Sequence, residues 1–188
     1  ARQKLGLPPD TPMVVYTGSF QTWKGIETII EAARGLNLVN FYLVGGTEVE
    51  ALTLSNHQPL PINLHCLGIR PHQEMSWWQA AADVLLVTGT KKDQYSYYHT
   101  SPMKLFEYLA AQRAVIASRT PAIKQIVSDQ EVFFHEPDSV PDLMETINYT
   151  LTHSDEAALK IAQAYGRARG YSWEQRATKI LDFISTKI

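Results

Sequence analysis

Short, unbroken apolar runs alternate with stretches of helical periodicity along almost the whole of this 188-residue chain, and that alternation leaves few folds open. The run MVVYT over 13–17 ends at Gly18, and Ile26, Ile29, Ile30 and Ala33 then fall at i, i+3, i+4 and i+7 within Lys24–Arg34, one face of a helix. Phe41–Val44 closes on Gly45-Gly46 before a helix over Glu48–Leu54. Ile62–Leu67 closes on Gly68 before a helix over Glu74–Ala82. Asp83–Val87 is the next strand, then a helix over Lys104–Ala111 and a strand over Ala114–Ser118. Glu131–Phe134 is the last expected strand, followed by helices over Val140–Leu151, Glu156–Arg169 and Trp173–Ile184.

A strand that is apolar at every position needs cover on both faces, and strands separated by helices run parallel. The pattern therefore predicts an α/β fold, a doubly wound, Rossmann-like parallel sheet of about six strands with helices on both faces. In such sheets ligands bind beyond the carboxyl ends of the strands, so the informative residues should lie just after them.

The segment Gly6-Leu7-Pro8-Pro9-Asp10-Thr11-Pro12 is rich in turn formers, so residues 1–12 are expected to be an interdomain linker and 13–188 one domain. The opening Ala1-Arg2-Gln3-Lys4 has neither an initiator Met nor a signal core, as expected of a domain taken from a longer chain. A 45% apolar composition excludes a disordered chain, and a net charge of -2 gives no field to collect nucleic acid or an anionic membrane. No run approaches the ~18 apolar residues of a membrane span. A single cysteine, Cys66, cannot form an internal disulfide.

Two helix starts break a local rule. In Thr100-Ser101-Pro102-Met103-Lys104-Leu105-Phe106-Glu107-Tyr108, Ser101 suits an N-cap and Pro102 the N1 position, which puts Lys104 at N3. A cation in a first turn opposes the helix dipole by about 0.3–1 kcal/mol. The conflict vanishes if an anion sits there, held by the N–H groups of Met103 and Lys104, the Ser101 hydroxyl and the lysine. In Gly18-Ser19-Phe20-Gln21-Thr22-Trp23-Lys24-Gly25, an N-cap at Thr22 likewise puts Lys24 in a first turn. Two lysines at the binding edge of one sheet can flank a diphosphate; equally, each can be an ordinary solvated lysine. Glu107 shares a helix face with Lys104, either as its i,i+3 partner or as a carboxylate accepting from ribose hydroxyls.

Other patterns argue for absence. Gly45-Gly46 does not continue into G-x-G-x-x-G, and reads first as a tight turn and second as close approach to a ligand. The six histidines show no metal spacing, and His99 stands out only because it adjoins the Ser101 loop. The run YSYYH over 95–99 reads as an aromatic loop, with stacking on a base or sugar as the second reading. No nucleophile–base pair and no pair of catalytic carboxylates has a local signature, so no catalytic residue is assigned.

The block SPMKLFEYLAAQRAVIASRTPAIKQIV over 101–127 resembles the donor-binding segment of the retaining, GT-B fold nucleotide-sugar glycosyltransferases known as family 4 or group 1. Gly18–Gly25 resembles the G-x-x-x-x-x-K-G loop of that family, Gly68-Ile69-Arg70 its third-strand turn, and Tyr171-Ser172-Trp173 its closing segment. The resemblance spans nearly the whole chain, as the carboxyl-terminal half of such an enzyme. It implies that Lys24 binds the donor diphosphate, that Ser101, Pro102, Met103 and Lys104 cradle it, and that Glu107 binds the ribose. It further implies that Gly18 lines the pocket and that Ile69 and Arg70 border the base. Two positions depart from the pattern: Ser19 stands where the family often has Arg, and His99 where it often has a first Glu facing the transferred sugar.

The resemblance thus implies a metal-independent transfer of a sugar from a nucleotide diphosphate sugar to an acceptor with retention, needing no cofactor. It also implies a partner amino-terminal domain carrying the acceptor site, with the helix over 173–188 returning toward it. The expected location is cytoplasmic, with any peripheral membrane contact made by that other domain. Alone, the chain is expected to bind nucleotide without turnover. The rival readings are another GT-B enzyme, such as a nucleotide-sugar epimerase, and a non-catalytic nucleotide-binding domain.

Overall fold

The computed structural model describes residues 1–186. In chain order the elements are α1 (Arg2–Leu5), β1 (Met13–Thr17), α2 (Ile26–Gly35), β2 (Asn40–Val44), α3 (Glu48–Leu54), β3 (Leu64–Cys66), α4 (His72–Ala81) and β4 (Val84–Val87). There follow α5 (Met103–Ala110), β5 (Ala114–Ser118), α6 (Pro121–Lys124), β6 (Phe133–His135), α7 (Val140–Thr152), α8 (Ser154–Ala168) and α9 (Trp173–Ser185). A 3₁₀ turn at Thr22–Lys24 precedes α2, and a π-helical turn at Tyr95–His99 lies between β4 and α5.

All strand pairs are parallel and the order is β3-β2-β1-β4-β5-β6. The expected doubly wound sheet is what the chain forms. Its order reverses between β1 and β4, which are paired through Val14 with Val84 and Val15 with Leu85. The loops leaving these two strands part to opposite faces and open a crevice at their carboxyl ends.

Burial on both sides explains the unbroken apolar runs. Val14 and Tyr16 of β1 face Ile26, Ile29 and Ile30 of α2 and Leu143 and Ile147 of α7. Met13 and Val15 face the other way, onto Trp78 of α4, Leu105, Tyr108 and Leu109 of α5, and Ala164 of α8. A central residue such as the fully buried Leu85 has no relaxed alternative, so truncation to Ala there costs about 2–5 kcal/mol.

Three strands are shorter than the sequence predicts, β4 by Asp83 alone. Ile62 is exposed, and the Asn63 amide donates to the carbonyls of Ala33, Leu36 and Val39 at the end of α2. That stretch is committed to capping a helix, so the ladder begins only at Leu64. The last strand is displaced to Phe133–His135 because Glu131 folds back on Ser128, accepting from its N–H and hydroxyl, and pairs with Arg167.

Within residues 1–12, Arg2–Leu5 form a helical turn docked on α4. Arg2 donates to the Ala81 carbonyl at 2.9 Å and pairs with Asp83 at 2.6 Å, and Lys4 Nζ lies 3.4 Å from the Trp77 ring centroid. At the other end, Ser172 caps α9 by accepting from the Gln175 N–H. The helix runs to Ser185, one residue beyond the expected Ile184, with Thr186 as its C-cap; positions 187 and 188 of the expected 173–188 segment lie outside the described residues. No residue of α9 is buried, and Trp173 is 75% exposed. No described helix is long and apolar enough to cross a membrane.

Candidate functional site

Three strands end in glycines that lock together as a floor. The Gly18 N–H donates to the Val44 carbonyl at 2.7 Å, the Gly45 N–H to Gly68 at 2.8 Å, and the Gly68 N–H to Gly46 at 2.9 Å. Gly45 has φ of 115°, and a Cβ there would lie 2.8 Å from the carbonyl of Gly18. A Cβ on Gly46 would overlap the Phe20 ring. These glycines therefore do more than make a tight turn: they let one loop pack on the backbone and aromatic ring of another.

At the first helix start the expected N-cap, Thr22, is displaced. Thr22–Lys24 form a 3₁₀ turn and Gly25, with φ of 67°, is the N-cap of α2, so Lys24 precedes the helix. A Cβ on Gly25 would meet the Gly89 carbonyl at 3.2 Å, and Thr88 Oγ1 donates to the Lys24 carbonyl at 2.6 Å. The exit of β4 thus fixes the lysine backbone. Lys24 Nζ turns back to donate to Ser19 Oγ at 2.7 Å, and burial lowers its pKa.

At the second helix start the N-cap is Pro102 and not Ser101, because Pro102 keeps an extended ψ of 115°. Lys104 is therefore the second helical residue, and no side chain caps this helix. The Met103 and Lys104 N–H groups lie in the first turn, without intrahelical acceptors. The Lys104 side chain reaches over the sheet edge, with Nζ 3.4 Å from the centroid of the Tyr16 ring. A Cβ on Gly18 would come within 2.7 Å of that ammonium, so glycine at 18 makes room for the lysine. Among the described residues no carboxylate pairs with Lys104. Burial, and secondly the charge of Lys24, push its pKa well below the ordinary lysine value, against a smaller opposing pull from Glu107.

Glu107, one turn along α5, is exposed and makes no ion pair with Lys104. Its Oε2 accepts from Gln79 Nε2 of α4 at 3.1 Å. Tyr108 anchors the same helix to β1: its hydroxyl accepts from the Thr17 N–H at 2.8 Å and lies 2.9 Å from Thr17 Oγ1.

The structure thus gathers Gly18, Ser19, Lys24 and Lys104 at the crevice, with Glu107 on the adjoining turn. Ser101, Met103 and His99 are exposed on its rim, and Pro102 is half-buried. Ile69 and Arg70 are exposed on the turn after β3, next to Gly68 of the glycine floor. Tyr16, Gln79 and Tyr108 are the contributors that sequence reasoning missed. Tyr16 and Tyr108 look like core aromatics, and only the buried amide of Gln79 in an otherwise apolar helix face was a signal. Among the described residues no three His, Cys, Asp or Glu side chains gather to hold a metal ion.

A family model for glycosyl transferases group 1 matches residues 11–153. The chain is 24% identical over 195 aligned residues to the D-inositol 3-phosphate glycosyltransferase of Xylanimonas cellulosilytica, covering 96% of this chain and 44% of that protein. The fold is shared with sucrose-phosphate synthase of Thermosynechococcus elongatus, with TM-score 0.80, 24% identity, and coverage of 98% of this chain and 47% of the other. It is shared equally with Anabaena HepE solved in complex with UDP-glucose, with TM-score 0.81, 20% identity, and coverage of 98% and 51%. The chain therefore spans about half the length of these relatives, as one Rossmann-like half of a GT-B architecture. By its family match and its fold, the chain belongs to the group 1 glycosyl transferases.

Proposed function

We propose that this chain is the donor-binding domain of a retaining, metal-independent glycosyltransferase, taking a nucleotide diphosphate sugar. The observation that carries this reading is the Lys104 ammonium, held in the crevice at a helix start with Lys24 beside it and no carboxylate partner among the described residues. Burying a cation without a counter-ion is costly, and a diphosphate supplies two anions at that place. The free N–H groups of Met103 and Lys104 add the positive end of the α5 dipole. Charge developing on the departing diphosphate would be met by this arrangement, the help a divalent metal gives elsewhere.

Glu107, held by Gln79, is placed to accept from ribose hydroxyls, and Ile69 and Arg70 flank the glycine floor where a base would lie. HepE has been solved with UDP and with UDP-glucose, which supports a nucleotide sugar as the ligand class. The exposed apolar side chains of α9 (Trp173, Ile180, Leu181) would pack against the amino-terminal domain that carries the acceptor site. Titration with UDP-, GDP- and ADP-linked sugars tests the reading: one nucleotide series should bind, and Lys104→Ala should weaken it. Transfer assays on the chain alone should show no turnover. Binding of every series unaffected by Lys104→Ala would overturn the assignment.

A further inference from the structure

The π-helical turn at Tyr95–His99 is not part of the nucleotide cradle, yet it is built with care. π-helical geometry is rare, and here it forms a separate turn between β4 and α5 and not a bulge within an α-helix. The turn is pinned by its buried Ser96, 1% exposed, whose Oγ accepts from the Thr90 N–H at 3.1 Å. The Ser96 N–H in turn donates to Asp93 Oδ1 at 2.7 Å. A Cβ on Gly89 would approach Ser96 Oγ to 3.2 Å, so the turn sits tightly against the exit of β4.

What this anchoring presents to solvent is an aromatic face. Tyr95 is 59% exposed and stands edge-to-face with Trp23, ring centroids 5.9 Å apart and planes at 86°. Trp23 immediately precedes Lys24, whose Nζ lies 5.0 Å from the Trp23 ring centroid. One edge of the cation site is therefore a rigid, open aromatic surface. Tyr95 belongs to neither of the two buried apolar clusters. The C–H face of a pyranose ring is apolar and carries slight positive charge, which complements the negative face of an aromatic ring.

We propose that Tyr95, buttressed by Trp23, is a stacking face for a pyranose ring beside the Lys24–Lys104 cation pair. The proposal rests on the donor-site reading and adds where that site meets sugar. The ring belongs either to the sugar of the donor or to a saccharide acceptor, both of which present the same C–H face.

The test compares the unaltered chain with Tyr95→Ala and Tyr95→Phe. UDP, GDP and ADP are titrated against their glucose conjugates, and methyl glucoside, galactoside and mannoside are followed by ligand line broadening. For a donor-sugar contact, Tyr95→Ala should weaken the glucose conjugate about three- to tenfold more than the free nucleotide. For an acceptor contact, that ratio should hold while line broadening of the free glycoside is lost. In both cases Tyr95→Phe, which keeps the ring, should restore the unaltered behaviour. Equal effects on nucleotide and conjugate with unchanged glycoside broadening would overturn the proposal, as would no effect at all. If no nucleotide binds the unaltered chain, the donor reading fails and the glycoside experiment alone decides the stacking face, absent broadening overturning it.

Discussion

Lys104 Nζ sits 3.4 Å from the centroid of the Tyr16 ring, so the cation that opens α5 rests on an aromatic face of β1. Such contact offsets only part of the cost of removing an ammonium from water, about 0.5–2 kcal/mol. Its pKa is accordingly depressed by burial, with Lys24 adding to the effect.

The first prediction follows from that depression. Between the lowered value and the ordinary lysine value, the folded chain lacks a proton that the unfolded chain holds, so this group's contribution to stability rises with pH there. A bound diphosphate favours the charged form and raises the pKa again. Nucleotide binding should therefore take up protons within that window, and affinity should fall as pH rises through it. Calorimetry in buffers of different ionisation enthalpy reads the uptake directly, and Lys104→Met should abolish most of it. Proton release on binding would contradict the account.

Gly45 gives a second test. Its φ of 115° is strained for any L side chain, at about 1–3 kcal/mol, and a Cβ would also press on the Gly18 carbonyl at 2.8 Å. Gly45→Ala should lower the unfolding midpoint by several degrees and, by displacing the Gly18 loop, weaken nucleotide binding too. Gly68→Ala is the control. It has φ of 66° with open space around the position, so it should cost stability through the backbone alone.

The strands β1, β4 and β5 were legible because they are apolar but for the terminal Thr17 and Ser118 and buried at every position, and both-face burial demands that pattern. β3 and β6 were read too long because Asn63 and Glu131 spend their polar groups on α2 and on Ser128, partners that periodicity does not reveal. The lysines could be singled out because a cation in a first helical turn breaks a local rule. Their exact helix positions could not, since Ser101-Pro102 fits two capping registers and Gly25, left-handed at the start of α2, packs against the Gly89 carbonyl through a tertiary contact that periodicity does not reveal. Tyr16 under Lys104 left no trace in sequence: a buried tyrosine in a strand looks the same whether or not a cation rests on it.

Glu107 and Gln79 separate ribose recognition from charge. If Glu107 accepts from ribose hydroxyls, Glu107→Ala should weaken a nucleoside diphosphate by about 1–3 kcal/mol and leave inorganic pyrophosphate almost unaffected. Gln79→Ala frees the carboxylate at 3.1 Å without touching ligand, so it should reproduce a smaller part of the same selective loss. Competition titrations with the two ligands measure both effects.

A buried histidine should make the fold less stable in acid. His135 Nε2 lies 3.0 Å from Ser118 Oγ, and Nδ1 lies 3.0 Å from the Glu136 carbonyl. The carbonyl only accepts, so Nδ1 carries the proton and Nε2 receives the Ser118 hydroxyl. Burial pushes the pKa down from 6.5 to about 4, despite Glu136 and the carboxylates of Asp142 and Asp138 nearby. The unfolded chain binds a proton there first, so this stability is complete above pH 6.5 and is lost as pH falls toward 4. The full effect is roughly 3 kcal/mol. Urea unfolding at pH 7.5 and pH 5 should show the loss, and His135→Gln should flatten that part of the slope.

The carboxyl-terminal helix gives the last prediction. None of α9 is buried, so a chain ending at Ser172 loses almost no core packing. Its unfolding free energy should change by less than about 0.5 kcal/mol, as for ordinary surface changes. Ending one step earlier, before Tyr171, is different. The Tyr171 ring stands 4.9 Å from Phe106 in T-shaped contact, and its hydroxyl donates to the Ile126 carbonyl at 3.2 Å. That cut removes an aromatic pair and two hydrogen bonds, the second accepted from Arg167 Nε at 3.3 Å, and should cost about 1–3 kcal/mol. Removing α9 also removes the exposed Trp173, Ile180 and Leu181, so self-association in sedimentation should fall. A large destabilisation on cutting after Ser172 would mean that α9 supports this domain's core, and that its apolar face is not reserved for a second domain.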